Sequence, residues 1–237
     1  MTHDGHERTP PYHRLVRLAR PFPDFDFFFM RSLRQRAVRL LTLKPGDRVL
    51  DMGCGLGGSF PHLVQAVGPS GEVVGVEISP DVTINARRRI AKHLWRNVQV
   101  IEADARTVAL TGTFDGLLMF GAPDVYASPE ALDNCFSHLG DNARVVLFGA
   151  KTVNSRAGGA LSLLFRFAFA KLTFSSTPRL DDAPWQMVAA RVSQFDVEAL
   201  SFGWMFLASG TVPSRGSQSG LAPAASGSSE GGGARGV

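Results

Sequence analysis

Residues 51–58 combine one carboxylate with closely spaced glycines, a pattern that can hold a nucleotide-containing ligand. Asp51 follows the apolar residues Val49 and Leu50, and glycines stand at positions 53, 55, 57 and 58. Glycine allows a positive φ and a close approach of ligand to backbone, because it has no Cβ. A helix-like segment, residues 59–67, comes next. The stretch therefore predicts a strand, a tight binding loop and a helix.

Two classes of ligand fit such a loop. The spacing Gly53-x-Gly55-x-x-Gly58 is that of a dinucleotide site, where a pyrophosphate binds at the helix N-terminus. Asp51 opposes this interpretation, because a carboxylate beside a doubly negative pyrophosphate is electrostatically unfavourable. A ligand with a cationic group suits Asp51 better.

The pattern Asp51-x-Gly53-x-Gly55-x-Gly57 resembles motif I of the class I S-adenosylmethionine-dependent methyltransferases. The cofactor of that family carries an ammonium and a sulfonium group and no phosphate. The resemblance implies that Asp51 and the loop amides hold the methionine part of S-adenosylmethionine. The alternatives are an oxidoreductase that binds NAD(P) and a non-catalytic module that binds a cofactor or a lipid.

The elements that position this loop alternate between strand and helix patterns, which predicts an α/β fold with a parallel sheet covered on both faces. Two further apolar segments, 195–202 and 204–209, are separated only by Gly203, so they must form an antiparallel hairpin. The resemblance implies a Rossmann-like, seven-stranded sheet of order 3-2-1-4-5-7-6. Strands are predicted from about residue 48 and at 72–76, 98–101, 114–120 and 143–148, and helices at 27–41, 59–67, 80–95, 129–140 and 186–191.

Two more acids follow predicted strands. Glu77 ends the second strand and can accept hydrogen bonds from both hydroxyls of a ribose, as dinucleotide sites also require. In the methyltransferase family, an acid at the position of Asp104 accepts a hydrogen bond from the adenine amino group, and Ile78, Ala105 and Phe120 are implied as apolar walls. The predicted cofactor-binding residues are Asp51, Gly53, Cys54, Gly55, Gly57, Glu77, Ile78, Asp104, Ala105 and Phe120.

Catalytic residues are harder to predict, because methyl transfer is an in-line displacement in which alignment of the acceptor supplies much of the acceleration. Position within the family gives Tyr12, His13, Asp124 and Tyr126 as candidate bases. The Asn/Asp-Pro-Pro-Tyr motif of many DNA and protein amino-group methyltransferases is replaced by Gly-Ala-Pro-Asp at 121–124, which opposes a nucleic-acid substrate. The Cys54 thiol is expected to be packed rather than nucleophilic.

Two apolar segments flanked by arginines, 22–29 and 161–174, favour a small, largely hydrophobic acceptor, with or without an anionic group. Simple packing of the second segment on the sheet is an equal alternative. A further hypothesis has residues 160–172 lying on a membrane surface, which resembles the bacterial phospholipid and quinone methyltransferases.

Composition is that of a soluble domain, with 44% hydrophobic and 19% charged residues among 237 and a net charge of +4. Two cysteines give neither a disulfide framework nor a metal-ligand cluster, and the polar first residues do not have the apolar core typical of a signal peptide, so we expect a cytoplasmic protein without a metal. The predicted organisation is a flexible start (1–11), a methyltransferase domain (12–209) and a disordered Gly/Ser/Ala-rich tail (210–237). Within the domain, 12–43 form a helical lid and 151–190 an insert.

Overall fold

The computed structural model describes residues 28–151 and 183–214. Within these ranges the strands form one seven-stranded sheet of order β3-β2-β1-β4-β5-β7-β6, which confirms the predicted Rossmann-like α/β fold. The strands are β1 (Arg48–Met52), β2 (Glu72–Glu77), β3 (Val98–Glu102), β4 (Phe114–Phe120), β5 (Leu139–Ala150), β6 (Ser193–Leu200) and β7 (Met205–Thr211). The helices are α1 (Phe28–Leu40), α2 (Phe60–Val67), α3 (Pro80–His93), α4 (Pro123–Tyr126), α5 (Pro129–Ser137) and α6 (Gln186–Ala189).

Helices cover both faces of the sheet because the central strands are apolar on both sides. Along β4, Leu117 and Met119 join one hydrophobic cluster, while Leu118 and Phe120 join the other. Successive side chains of a strand point to opposite faces, so a continuous apolar run requires cover on each. Helices α1, α2 and α3 supply one layer, and α4, α5 and α6 supply the other.

Parallel pairing brings the carboxyl ends of the first three strands to one edge of the sheet. Strand β1 pairs in parallel with β2 and β4, and β2 pairs in parallel with β3. Asp51 lies near the end of β1, Glu77 ends β2, and Asp104 follows β3. The three predicted acids therefore share the edge at which open α/β sheets bind their ligands.

The predicted hairpin is confirmed, with β7 antiparallel to both β5 and β6. A single turn of 3-10 helix, Ser201–Gly203, connects the two hairpin strands, and Gly203 has a φ of 87°. Strand β7 continues to Thr211, beyond position 209 where the domain was expected to end.

The main departure from the predicted elements is at β5, which begins at Leu139 instead of residue 143. Leu139 pairs with Phe114 across a register shift, and the helix predicted to reach residue 140 ends at Ser137, so residues 139–142 lie within the strand. Helix α3 ends at His93, because Leu94 adopts a left-handed φ of 55°. Ser79 occupies the N-cap position of α3 but makes no side-chain capping bond, unlike Ser128 of α5, which accepts from the amide of Ala131.

Helix α1 is attached to the C-terminal part of the sheet as well as to its own layer. Arg36 forms a two-pronged ion pair with Glu198 of β6. Arg144 of β5 donates to the carbonyl of Leu40 at 3.2 Å and to the hydroxyl of Thr211 at 2.6 Å.

The remainder of the predicted lid (12–27), most of the insert and the tail from 215 lie outside the described residues. Among those described, no helix has the length and apolar character to cross a bilayer.

Candidate functional site

Asp51 is a buried carboxylate that has no hydrogen-bond partner among the described residues. Its side chain is 1% exposed, and both carboxylate oxygens are unpartnered. The pKa of Asp51 is raised to about 7, mainly because of burial; the Arg34 guanidinium opposes the rise, and the Glu77 carboxylate adds to it. Because a buried charge is stable only when it is paired, this site is suited to a cationic ligand group.

The glycine loop that follows Asp51 is held by its own backbone. The amides of Gly53 and Cys54 both donate to the carbonyl of Val76, at 2.9 and 3.0 Å, and the amide of Gly57 donates to the carbonyl of Cys54 at 3.0 Å. Three of the loop amides are thus engaged inside the protein. The expectation that the loop amides hold the methionine part of a cofactor is not supported for these three.

Glu77 is fixed by two backbone donors. Its Oε1 accepts from the amide of Ser79 at 2.9 Å, and its Oε2 accepts from the amide of Gly55 at 3.1 Å. These bonds orient the Glu77 carboxylate toward the loop. A pyrophosphate needs free amides at this turn, and a fourth amide, that of Gly55, is also engaged. The dinucleotide alternative therefore loses its main structural support.

Asp104 is bound by a residue that the sequence analysis did not single out. Its Oδ1 accepts from the amide and the Nε of Arg106, both at 2.9 Å, and its Oδ2 is paired with the same guanidinium. These hydrogen bonds lower the pKa of Asp104 and keep it ionised. Asp104 and Arg106 are opposite charges two residues apart in a loop, a signal that could have identified the pair. Arg106 competes for the acceptor predicted for the adenine amino group.

Replacing Arg106 with alanine is expected to strengthen binding of S-adenosylhomocysteine by about two- to fivefold, the worth of an exposed ion pair. The adenine amino group would then no longer compete with the guanidinium for Asp104. Isothermal titration calorimetry measures the change. The matched control is Arg87→Ala, which removes another exposed arginine paired with an acid, Glu102. Weaker binding in Arg106→Ala would instead indicate that the guanidinium orients Asp104 for the ligand.

The predicted apolar walls differ in exposure. Ile78, which follows Glu77, is 61% exposed and available to cover a ligand. Ala105 is half-buried, and its carbonyl accepts from Asn134 at 3.0 Å. Phe120 is only 6% exposed and stacks on Phe148 with ring centroids 4.4 Å apart, so it is mainly a core residue.

Cys54 is packed, as expected. Its side chain is 4% exposed, and burial, followed by the charges of Asp51 and Glu77, raises the thiol pKa well above its usual range. A nucleophilic cysteine needs the opposite shift, because the thiolate is the reactive form.

The candidate bases differ in how exposed the structure leaves them. Tyr126 is 2% exposed and makes an edge contact with Phe206, with ring centroids 6.0 Å apart. Burial and the nearby charge of Asp124 raise its pKa, so Tyr126 is a core residue and a poor base. Asp124 is exposed at the start of α4, directly beyond β4. Tyr12 and His13 lie outside the described residues.

Two arginines that were not predicted as site residues contact the glycine loop or the residue that follows it. Nη1 of Arg34, on α1, donates to the hydroxyl of Ser59 at 3.1 Å, and its guanidinium lies 4.3 Å from the ring centroid of Phe120. Arg89, on α3, is 3% exposed and donates to the carbonyl of Leu56 at 3.3 Å. Arg89 falls on the buried face of α3, a periodicity that the sequence could have revealed. Arg34 carries no comparable signal.

Comparison with known proteins finds its similarity mainly in the central part of the chain. Residues 49–142 match a family model described as a methyltransferase domain. Aklanonic acid methyltransferase DauC of Streptomyces sp. is 31% identical over 105 residues, which cover 44% of this chain and 47% of the relative. Demethylmenaquinone methyltransferase of Symbiobacterium thermophilum is 28% identical over 150 residues, 62% of this chain and 56% of the relative. The chain thus spans about half the length of these curated relatives.

Solved structures agree on the fold. A SAM-dependent methyltransferase from Aquifex aeolicus superposes with a TM-score of 0.57 at 18% identity, covering 84% of this chain and 98% of that one. An O-methyltransferase family protein from Burkholderia thailandensis gives a TM-score of 0.58 at 17% identity, covering 85% of this chain and 58% of that one. These structures show the fold, and residues 49–142 add the match to a methyltransferase-domain model.

Proposed function

We propose that this chain, whose residues 49–142 match a methyltransferase-domain model, transfers a methyl group from S-adenosylmethionine to a small molecule. The observation that carries the proposal is Asp51, whose buried carboxylate has no hydrogen-bond partner among the described residues. The bound cofactor would supply a methyl group activated by a sulfonium and, next to it, an ammonium. A cationic group at Asp51 would compensate the buried charge, whereas the phosphate of a dinucleotide would add to it.

Each acid of the edge has a role in this proposal. Asp51 binds the ammonium of the methionine part, and Glu77, held by the amides of Gly55 and Ser79, accepts from the ribose hydroxyls. Asp104 accepts from the adenine amino group in competition with Arg106, and Ile78 covers the adenine ring. These contacts bind and orient the donor, so the acceptor can be aligned for in-line displacement without an obligatory base. If a base takes part, Asp124, exposed beyond β4, is the described candidate.

For the acceptor, we propose a small, largely hydrophobic molecule. The names of three relatives support this class: aklanonic acid, demethylmenaquinone and 2-phytyl-1,4-naphtoquinone are the compounds after which those methyltransferases are named. The segments expected to form the acceptor site, 22–29 and 161–174, lie almost entirely outside the described residues. A membrane-surface role for 160–172 and a cytoplasmic location remain predictions.

The test is calorimetric titration of S-adenosylhomocysteine and, separately, of NADH into the full chain. We expect micromolar binding of S-adenosylhomocysteine, about −8 kcal/mol, and no heat with NADH. Binding of NADH alone would overturn the proposal. A panel of quinones, phenols and aromatic acids with radiolabelled S-adenosylmethionine then tests turnover. Cofactor binding with no transfer to any acceptor would favour the non-catalytic alternative.

Replacing Glu77 with glutamine is expected to weaken binding of S-adenosylhomocysteine by about 10- to 100-fold. The loss corresponds to about 1.5–3 kcal/mol, the range for hydrogen bonds to a charged group. The amide keeps one acceptor oxygen but presents a donor to the amide of Gly55 or Ser79, so the loop also loses a hydrogen bond. Glu72→Gln, at the opposite end of β2, is the control. Unchanged affinity in Glu77→Gln would contradict the ribose role.

A further inference from the structure

Three aromatic rings meet at the carboxyl end of β5, on the face of the sheet that carries α4. Gly149 of β5 pairs with Phe206 of β7. The Phe206 ring lies against Tyr126 of α4, with ring centroids 6.0 Å apart, and against Trp185, with ring centroids 4.8 Å apart. Strand β5 is parallel to β4, so the rings lie at the edge where open α/β sheets bind their ligands.

Gly149 makes room for the hydroxyl of Tyr126. A Cβ added to Gly149 would overlap that hydroxyl oxygen and would lie 2.9 Å from the ring of Phe206. The Tyr126 side chain is 2% exposed, yet its hydroxyl makes no hydrogen bond with any described residue. Burial raises the pKa of Tyr126, so the phenol stays protonated at neutral pH and is available as a donor.

Lys151 brings an ammonium to the same face. Its amide donates to the carbonyl of Trp204 at 3.0 Å, which extends the pairing of β5 with β7 by one residue. Side chains two positions apart along a strand share a face, so Lys151 lies on the side of Gly149. Its Nζ is 5.3 Å from the ring centroid of Trp185, and no carboxylate of the described residues pairs with it. The ring orients the ammonium without neutralising it.

We propose that Lys151 and the Tyr126 hydroxyl bind the carboxylate of an aromatic acid, which is the methyl acceptor. This inference rests on the proposed function and narrows its hydrophobic acceptor to a molecule with one anionic group. One ammonium matches the single charge of a carboxylate, and the two donors can serve its two oxygens. Trp185 is half-buried and offers apolar surface to the aromatic part. Lys151 and Tyr126 are then specificity-determining residues.

The test compares charged and neutral probes of nearly identical shape on the full chain saturated with S-adenosylhomocysteine. The probes are 1- and 2-naphthoate and the corresponding naphthamides, and calorimetry measures their affinities. In the wild type we expect a naphthoate to bind about 10- to 100-fold more tightly than its amide, the range for hydrogen bonds to a charged group. In Lys151→Met this ratio should fall at least fivefold, whereas Lys151→Arg should keep most of it.

Tyr126→Phe removes the hydroxyl but keeps the ring that packs on Phe206. Naphthoate affinity should fall about three- to tenfold, and naphthamide affinity less, because a hydrogen bond to a charged acceptor is the stronger one. The matched control is Lys44→Met, which removes an exposed lysine in the turn before β1, at the opposite edge of the sheet. It should leave every affinity unchanged.

Binding of S-adenosylhomocysteine separates this inference from the proposed function. A wild type that binds S-adenosylhomocysteine but binds neither naphthoate, or binds naphthoate and naphthamide equally, would overturn the acceptor assignment alone. A ratio unchanged in Lys151→Met would do the same and leave the contact of Lys151 with Trp185 a packing interaction. A wild type that does not bind S-adenosylhomocysteine would overturn the proposed function itself.

Discussion

Replacing Asp51 with asparagine is expected to raise the free energy of unfolding at neutral pH and, at the same time, to weaken cofactor binding about 100-fold or more. The carboxylate is buried without a hydrogen-bond partner among the described residues, and its pKa is raised to about 7. Ionising such a group costs about 1.4 kcal/mol for each pH unit between its unfolded and folded pKa values. Asparagine removes that cost but adds an unpartnered amide, so we expect a net gain of about 1–3 kcal/mol.

The size of this stability gain depends on pH. Because the folded pKa of Asp51 lies above the ordinary value of 3.8, the folded state binds more protons than the unfolded state between about pH 4 and pH 7. Ionisation of this group therefore lowers the stability of the wild type as pH rises through that window. Asp51→Asn lacks the decline, so its advantage should be present at pH 8 and nearly absent at pH 4. Urea denaturation at both pH values measures it.

Asp51→Asn should weaken binding of S-adenosylhomocysteine, although it makes the fold more stable. An ammonium at this position needs the ionised carboxylate, so wild-type affinity for S-adenosylhomocysteine should fall as pH drops below about 7. Asp51→Asn should lose about 100-fold or more, since removing one partner of a buried ion pair costs about 3–5 kcal/mol. Asp115→Asn, at the amino end of β4, is the control for binding. An Asp51→Asn protein that is less stable than wild type at pH 8 would show that the carboxylate is already compensated.

Gly53→Ala is expected to destabilise the fold by about 3 kcal/mol or more. Gly53 has a φ of 75°, and an added Cβ would lie 2.6 Å from the Cβ of Ala122, in the loop after β4. A left-handed conformation costs an ordinary residue about 1–2 kcal/mol, and displacement of a buried neighbour adds to this. Cofactor affinity should fall as well, because the displaced loop carries the amides that anchor Glu77 and Cys54.

Two further variants separate strain from the clash. Gly46 also has a positive φ, 98°, but a Cβ added there would be 3.9 Å from its nearest neighbour. Gly46→Ala should therefore lose only the stability that the left-handed backbone conformation costs alanine. In the double variant Gly53→Ala/Ala122→Gly the clash is removed, and part of the lost stability should return. Thermal and urea unfolding measure all three. Equal losses of unfolding free energy in Gly46→Ala and Gly53→Ala would mean that the glycine loop accommodates the added methyl group at no cost in stability.

The topology could be predicted because its signals are local or follow from chain length. The loop between Asp51 and Phe60 has a glycine wherever the structure needs a positive φ, and the hairpin follows from a linker too short for a crossover. The start of β5 could not be predicted, because Leu139 pairs with Phe114 only through a register shift. A long-range register has no local signature in a polar segment.

The three acids were predicted at the sheet edge, but their partners were not. Glu77 is held by backbone amides, and the sequence does not show where those amides point. Arg34 resembles any other arginine on a helix, because its role depends on how α1 docks against the loop. Tyr126 was one of four candidate bases, but the structure buries its ring in the core against Phe206, a burial that its polar hydroxyl does not indicate in the sequence.

The attachment of α1 to β5 and β6 affects the order in which parts of the protein can fold during translation. Arg36 and its partner Glu198 are 162 positions apart, and Arg144 reaches Leu40 across 104. During synthesis α1 leaves the ribosome before β5 and β6, so its contacts with these strands cannot form until they have been synthesised. Contacts of such long separation also close slowly. A nascent chain stalled before β6 should therefore hold a formed glycine loop and an incompletely docked α1, so full affinity for the cofactor would be acquired only near the end of translation.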